Sequence, residues 1–185
     1  AVHIYGLPVN MAPILTLARK HNLKVIEDAA EAMGQTCQDR PCGSFGDVSV
    51  LSFYPNKHVT TGEGGMVLTD DADLAERARS FRNLCFEPGR RFVHLRLGWN
   101  YRMTNLQAAV GLAQMERLPE TVRRKREMGQ RYAENLTGVP GLQLPAARTE
   151  QAANLYWVFG VVLDIAHPLD AEAAMAQLRQ HGIDT

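Results

Sequence analysis

The stretch Val25-Ile-Glu-Asp-Ala-Ala-Glu-Ala32 indicates the class of fold to which this chain belongs. It begins within a short apolar run, residues 23–27, whose β-branched side chains are typical of a buried strand. The run ends in Glu27 and Asp28, and ligands of parallel α/β sheets bind where the strands end. An acidic side chain at this place is therefore a candidate ligand contact. On this stretch alone, however, a cap for the following helical turn is the simpler interpretation of Asp28.

Helical and extended patterns alternate on both sides of that stretch. Helical spacing of apolar residues and short β-rich runs predict the individual elements. The predicted helices cover residues 10–21, 72–82, 104–136 (one kinked helix, or two around Pro119) and 170–181; the predicted strands cover residues 23–27, 48–53, 66–69 and 155–164; the predicted loops include 39–47 and 85–100. This alternation predicts an α/β fold with a mostly parallel central sheet.

A change of composition near residue 138 predicts a domain boundary. Residues 138–153 are polar and contain two prolines and two glycines, which is typical of a connecting segment. We expect residues 1–137 to be part of a large domain, its C-terminal half and linking helix, and residues 138–185 to begin a small α/β C-terminal domain. The chain has no initiator Met and ends directly after a helical pattern, so we expect it to be a fragment.

Composition and charge narrow the classes of partner. Twenty basic and twenty acidic residues cancel, which gives no support for nucleic acid or an anionic membrane as the main partner. No apolar run is long enough to span a bilayer, and the first residues do not have the pattern of a signal peptide. Three cysteines without a CxxC pair predict reduced thiols in a cytoplasmic protein. Six scattered histidines predict no metal site.

A second stretch, Ser52-Phe-Tyr-Pro-Asn-Lys-His-Val-Thr-Thr-Gly-Glu-Gly-Gly65, concentrates reactive side chains. Lys57 follows a buried strand, and a lysine amine in such a place can condense with an aldehyde. The Ser52 hydroxyl can bind a phosphate, and the glycines allow close approach of the backbone. Each feature alone is weak, and the order of an NTPase phosphate loop is absent. Together with the acidic strand end at Asp28, the combination is unusual enough to predict one site.

These motifs together resemble the DegT/DnrJ/StrS sugar aminotransferases, a family of the fold type I class that uses pyridoxal 5′-phosphate (PLP). Within that family the segments around Lys57, Arg82 and Arg90 are most similar to the GDP-perosamine synthases. The matching stretches are His3-Ile-Tyr-Gly-Leu-Pro8, Val25-Ile-Glu-Asp-Ala-Ala30, Gly43-Ser-Phe-Gly-Asp47, Ser52-Phe53 with Lys57, Thr61-Gly-Glu-Gly-Gly65 and Asn100-Tyr-Arg-Met-Thr-Asn-Leu-Gln-Ala-Ala109.

The resemblance implies a role for each matching residue. Lys57 would bond covalently to PLP and carry the proton during catalysis. Asp28 would pair with the pyridinium nitrogen, and Glu31, where many relatives carry Gln, would lie near the 3-hydroxyl group. Ser52 would bind the PLP phosphate. Asn100 would reach the same phosphate from the partner subunit, which implies a homodimer with shared active sites.

The implied activity is transamination of a nucleotide-linked ketosugar, usually from glutamate, in polysaccharide biosynthesis of the O-antigen type. Three alternatives remain open. Sugar dehydratases of the same family carry His at the lysine position, and His58 is adjacent to Lys57. A non-catalytic regulatory or scaffold protein would keep the fold with Lys57 pointing to solvent. An ordinary ligand-binding α/β domain would place the Lys57 amine far from Asp28.

Overall fold

The computed structural model describes residues 1–185 and contains five helices and nine short strands. In chain order they are α1 (Met11–Lys20), β1 (Ile26–Asp28), β2 (Thr36–Cys37), β3 (Arg40–Pro41), β4 (Val48–Ser52), β5 (Gly65–Leu68), α2 (Ala72–Arg82), β6 (Phe86–Glu87), β7 (Arg90–His94), α3 (Asn105–Met115), α4 (Leu118–Leu136), β8 (Leu142–Gln143), β9 (Val162–Leu163) and α5 (Ala171–Gln180). The predicted α/β class is confirmed.

The central sheet has the strand order β1-β4-β5. β1 and β4 are parallel, with Asp28 opposite Val50, and β5 returns antiparallel to β4, with Gly65 opposite Ser52. Val2 adds a parallel bridge to Asp28 on the outer side of β1. The carboxyl ends of β1 and β4 and the start of β5 therefore lie along one edge of the sheet, where both sequence motifs end.

Two small apolar clusters pack beside the sheet. Met11 and Ala18 of α1 contact Val25, because helical spacing places both on the same face of α1. Asn10 caps this helix by accepting a hydrogen bond from the Ala12 amide. In the second cluster, Phe53 and Val59 of the loop that carries Lys57 pack with Met33. The chain just before β1 and the lysine loop are therefore packed in two different apolar clusters.

Glu27 is a fully buried carboxylate that organises the loop before β4. It accepts hydrogen bonds from five donors: His3 Nε2 at 2.8 Å, the amides of Gly43, Phe45 and Gly46, and the Ser49 hydroxyl. Burial alone would raise the pKa of this carboxyl, but these donors outweigh burial and lower it to about 2. Strand alternation turns the next residue, Asp28, to the opposite face.

The structure differs from the predicted elements in several places. The first strand is Ile26–Asp28 rather than residues 23–27, and Arg40–Pro41, within the predicted loop 39–47, pairs with Thr36–Cys37. Residues 85–100 are not a simple loop: β6 and β7 form a hairpin around Pro88 and Gly89, whose φ of 75° suits glycine. Residues 155–164 are not one strand, because Tyr156 has a φ of 54° and only Val162–Leu163 pairs regularly. The helical stretch 104–136 is two helices, with Pro119 in the first turn of α4.

The segment after the predicted domain boundary contacts the beginning of the chain. Leu155 is fully buried, and its amide donates to the Gly6 carbonyl. α4 ends at Leu136, close to the boundary proposed after residue 137, but the division into 1–137 and 138–185 stays a prediction. None of the helices combines the length and apolar character that a membrane span requires.

Candidate functional site

Asp28 and Ser52 end two parallel strands at the same edge of the sheet. The Asp28 side chain is half-buried, and only its Oδ1 is engaged, accepting a hydrogen bond from the Ala30 amide at 3.0 Å. This bond closes a turn, but no helix starts after Asp28, so the predicted cap of a helical turn is not what the structure shows. The bond leaves the second carboxylate oxygen available to a ligand.

Lys57 and Glu31 meet at this edge. Nζ of Lys57 lies 3.9 Å from Oε1 of Glu31, and the two side chains are only 11% and 21% exposed. The other carboxylate oxygen of Glu31 accepts a 2.7 Å hydrogen bond from the Tyr5 amide. A lysine pointing to solvent is therefore excluded, and the residue that faces the amine, Glu31, follows Asp28 by three positions in the chain.

The loop between β4 and β5 holds its shape through its own hydrogen bonds. The Phe53 carbonyl accepts from both the Thr61 amide and the Thr60 hydroxyl, and the Phe53 amide donates to the Gly64 carbonyl. Gly64 has a φ of 153°, and a Cβ there would lie 2.6 Å from Thr61 Oγ1, so only glycine fits without rearrangement. The Thr-Gly-Glu-Gly-Gly motif therefore builds a rigid loop around Lys57.

Helix α3 supports this loop from outside. Gln114 accepts a hydrogen bond from the Thr60 amide, and Gln107 donates to the Glu63 carbonyl. Gly111 allows the close packing, since a Cβ there would lie 2.8 Å from the Thr61 side chain. The segment Asn100–Ala109 of the sequence motif thus contributes to the site by holding the lysine loop.

Ser52 lies at the edge of the sheet where β4 ends, whereas Asn100 lies outside the sheet and is exposed. The Ser52 hydroxyl accepts a 3.3 Å hydrogen bond from the Tyr54 amide and lies at the end of β4. Asn100 forms an isolated bridge with Asn83, and its side chain is exposed and accepts a hydrogen bond from Arg102. The structure therefore brings Lys57 and Glu31 together, and Asn100 has no hydrogen bond to either.

His58, next to Lys57, is directed into the protein interior. Its ring is 6% exposed, its Nδ1 is hydrogen-bonded to the Met33 carbonyl at 3.1 Å, and its Nε2 has no partner. Burial lowers its pKa to about 4, opposed by the bond to Met33 and assisted by the charges of Lys125 and Lys57. Lys57, not His58, faces Glu31.

One aromatic side chain at this site was not predicted from the sequence. The Lys57 amine lies 3.7 Å from the centroid of the Trp157 ring, and the indole N–H donates to the Asn56 carbonyl at 3.1 Å. Tyr5, whose amide binds Glu31, has its ring 6.1 Å from the same indole. Little in the sequence pointed to Trp157. It is one of only two tryptophans, and its segment was predicted to be an ordinary strand.

A largely buried lysine beside the Glu31 carboxylate at one edge of an α/β sheet is the arrangement expected for the fold type I aminotransferase class. The chain belongs to the DegT/DnrJ/EryC1/StrS aminotransferase family, which it matches over residues 1–185. Both the predicted resemblance and the predicted fold class are confirmed.

Individual relatives show the same likeness. GDP-perosamine synthase of Caulobacter vibrioides is 40% identical over 184 residues, which cover 100% of this chain and 50% of that protein. A dTDP-4-dehydro-2,6-dideoxy-D-glucose 3-dehydratase of Saccharopolyspora spinosa is 36% identical over 170 residues, 78% of this chain and 37% of that protein.

A solved structure of another aminotransferase shows the same fold. The crystal structure of the aminotransferase TlmJ from Streptoalloteichus hindustanus superposes with a TM-score of 0.89 at 33% identity, covering 99% of this chain and 49% of that one. The chain thus spans about half the length of the relatives it matches.

Proposed function

We propose that this chain carries the catalytic lysine and part of the cofactor site of a PLP-dependent aminotransferase that acts on a nucleotide-linked ketosugar, usually with glutamate as amino donor. The observation that supports the proposal is that the largely buried amine of Lys57 faces Glu31. This pair lies at the edge of the sheet where β1 ends at Asp28 and β4 ends at Ser52. Membership of an aminotransferase family and the likeness to GDP-perosamine synthase support the reaction and the substrate class.

The side chains present fit the chemical groups of PLP one by one. Lys57 offers an amine for the aldehyde, and the unengaged oxygen of Asp28 offers a carboxylate for the pyridinium nitrogen. Glu31 offers a carboxylate for the 3-hydroxyl group, and the Ser52 hydroxyl offers a partner for the phosphate. When bound, PLP supplies the electron sink for moving an amino group between an amino acid and a ketosugar.

The residues of this chain supply the binding and the proton transfer. Lys57 is the nucleophile and, when its amine is free, the group that delivers a proton from Nζ to the sugar carbon. Glu31 lies beside that amine, with its orientation fixed by the Tyr5 amide. The hydrogen-bonded loop of residues 53–64 keeps Lys57 in place while its amine acts first as nucleophile and then as proton donor.

The closest alternative is a sugar dehydratase, since one relative of this chain carries that name. Two observations favour the aminotransferase. The amine of Lys57 faces Glu31, and the adjacent His58 is buried with its Nδ1 bonded to Met33. A non-catalytic scaffold is disfavoured because Lys57 is only 11% exposed.

A labelling experiment tests the cofactor and the lysine. The protein as its gene encodes it, and the 185-residue chain beside it, would be incubated with PLP, reduced with borohydride and mapped by mass spectrometry. We expect a phosphopyridoxyl group on Lys57, its loss in Lys57→Ala, and no change in Lys24→Ala, whose side chain is 80% exposed. Absence of the group from Lys57 in the complete protein would overturn the proposal.

A second experiment tests the reaction. The protein would be given ¹⁵N-labelled glutamate and a panel of GDP- and dTDP-linked ketosugars. An aminotransferase gives a sugar that carries ¹⁵N, whereas a dehydratase gives a sugar that has lost an oxygen without gaining nitrogen. The second product would select the dehydratase.

We further propose a cytoplasmic homodimer in which Asn100 of one subunit reaches the phosphate site of the other. The free thiols of Cys37, Cys42 and Cys85 fit a reducing compartment. Phe92, Leu97 and Leu106, all more than 70% exposed, lie in the region around Asn100 and fit a protein interface.

Subunit mixing tests the shared site. If Lys57→Ala and Asn100→Ala proteins are each inactive, a re-assorted mixture should recover about a quarter of wild-type activity, since half the dimers are hybrids with one intact site. A mixture without recovery contradicts sharing.

A further inference from the structure

The indole of Trp157 covers one face of the Lys57 amine. Nζ lies 3.7 Å from the ring centroid, within the range of a cation–π contact. The same indole donates its N–H to the carbonyl of Asn56, the residue before Lys57. One side chain thus contacts both the amine and the backbone that carries it.

Trp157 is held by main-chain bonds to the beginning of the chain. Its amide donates to the Tyr5 carbonyl at 3.0 Å, and the Leu155 amide donates to the Gly6 carbonyl at 3.1 Å. The buried Gln35 side chain donates 2.7 Å hydrogen bonds to the carbonyls of Gly6 and Ala153 and so ties the two segments together. The indole is therefore placed by a buried framework rather than by a free loop.

The residue before Trp157 fixes the segment from the other side. Tyr156 is 5% exposed, has a φ of 54° and packs against helix α4 at Gly129, where a Cβ would lie 2.2 Å from the ring. Only a helix surface without a side chain accepts the ring at this distance. A tyrosine in this backbone conformation persists because the packing around it requires it.

We propose that Trp157 is a positioning residue for the Lys57 amine, an assignment that rests on the proposed function. The ring covers one face of Nζ and the indole N–H fixes the Asn56 carbonyl, so the free amine has one defined position beside Glu31. A reacting carbonyl must approach Nζ from the faces that the indole leaves open.

Lysine-resolved chemical modification tests this role without the cofactor. The protein as its gene encodes it would be treated with formaldehyde and cyanoborohydride, and methylation at Lys57 would be measured by mass spectrometry relative to the exposed Lys24 in the same sample. Removal of the ring in Trp157→Leu should raise the rate at Lys57 roughly fivefold. Trp157→Phe keeps a ring but loses the N–H bond and should raise it roughly twofold.

Trp99→Leu is the matched control, because Trp99 is the other tryptophan and contacts the rings of Phe81 and Tyr101 rather than Lys57. It should leave the Lys57 rate unchanged. A wild-type rate in folded Trp157→Leu overturns the proposal. If circular dichroism shows that Trp157→Leu is unfolded, Trp157→Phe decides: a raised rate supports the proposal and a wild-type rate overturns it.

The two proposals fail separately. If Trp157→Leu raises the methylation rate but PLP leaves no phosphopyridoxyl group on Lys57 of the wild type, the positioning contact stands and the aminotransferase function fails. If the phosphopyridoxyl group forms but the methylation rate is unchanged in Trp157→Leu, only the role of Trp157 fails.

Discussion

One carboxylate oxygen of Glu31 lies 3.9 Å from Nζ of Lys57, and both side chains are largely buried. At this distance the attraction is modest, since part of each group still contacts water. The second oxygen of Glu31 has a shorter contact, the 2.7 Å hydrogen bond from the Tyr5 amide. Glu31 therefore has two separable roles, a charge beside the amine and an acceptor for the backbone.

Glu31→Gln and Glu31→Ala should separate these roles. Glutamine keeps an oxygen for the Tyr5 amide and loses only the charge, so the free energy of unfolding should fall by no more than about 1 kcal/mol. Alanine loses both and should cost about 1 kcal/mol more. Urea unfolding measures the difference, and equal losses in the two variants would show that the bond to Tyr5 does not contribute.

The Glu27 carboxylate should make the fold sensitive to acid. Its folded pKa of about 2 lies below its ordinary value of 4.5, so it contributes stability that is complete above pH 4.5 and is lost as the pH falls toward 2. The shift corresponds to about 3 kcal/mol. In Glu27→Gln the free energy of unfolding should vary less across this range than in the wild type.

Glu27→Gln should also be less stable than the wild type at neutral pH. Its amide nitrogen would face some of the five donors that bind the carboxylate, and the charge that strengthens those bonds would be lost. Thermal unfolding at pH 7 and pH 3 provides the measurement. An unchanged difference between the two pH values would contradict the assignment of this acid sensitivity to Glu27.

His58 should produce a second pH dependence at higher pH. Its pKa falls from the ordinary value of 6.5 to about 4 because the ring is buried, so unfolding takes up a proton below pH 6.5. The resulting stability, about 3 kcal/mol, is complete above pH 6.5 and is lost as the pH falls to 4.

His58→Asn should flatten the stability profile between pH 6.5 and 4, and its side-chain amide can still donate to the Met33 carbonyl. His181→Asn is the control, since His181 is exposed and should leave the profile unchanged. A wild-type profile in His58→Asn would show that another group titrates.

Gly129→Ala should destabilise the protein, although alanine normally favours a helix by about 1 kcal/mol over glycine. The added Cβ would lie 2.2–2.6 Å from the ring of Tyr156, and such overpacking costs about 1–3 kcal/mol. Urea unfolding of the single variant gives the sign.

The double variant Gly129→Ala, Tyr156→Ala isolates the clash. Once the ring is absent, the alanine at position 129 should be neutral or stabilising, so the two substitutions should not be additive. Gln130→Ala, one residue along the same helix and exposed, should change the free energy of unfolding by about 0.5 kcal/mol or less. Additive effects of the first pair would contradict the packing argument.

Local chemistry made much of the fold and of the candidate site predictable. The strands at Glu27 and before Ser52 were predictable because runs with β-branched residues favour extended backbone, although in β1 the apolar Ile26 is exposed and Glu27 is the buried residue. Their ends lie at one edge because parallel strands run in the same direction. The pairing of Lys57 with Glu31 was not predicted: the sequence placed each residue after a strand that ends at that edge, and the structure shows Nζ and Oε1 3.9 Å apart.

Other parts of the site depend on contacts between residues far apart in the chain. Glu27 and Asp28 are adjacent and chemically alike, yet Glu27 is sealed in the core and Asp28 lies at the site. Which of the two acids is buried depends on which face of β1 packs against the loop at Gly43, whose amide binds Glu27. The segment around Trp157 was predicted to be a strand because its residues favour one, but bonds to Tyr5 and Gly6 and the positive φ of Tyr156 override that preference.

By itself, the sequence determined the class of fold, the family and the lysine on which the proposed chemistry depends, because these follow from local patterns and from motifs that recur in order along the chain. Only the tertiary structure decided that Trp157 covers Lys57 and that His58 is buried away from Glu31. The physical reason is distance along the chain: Trp157 is 100 residues from Lys57, and no local preference encodes a contact that forms only when the whole framework has packed.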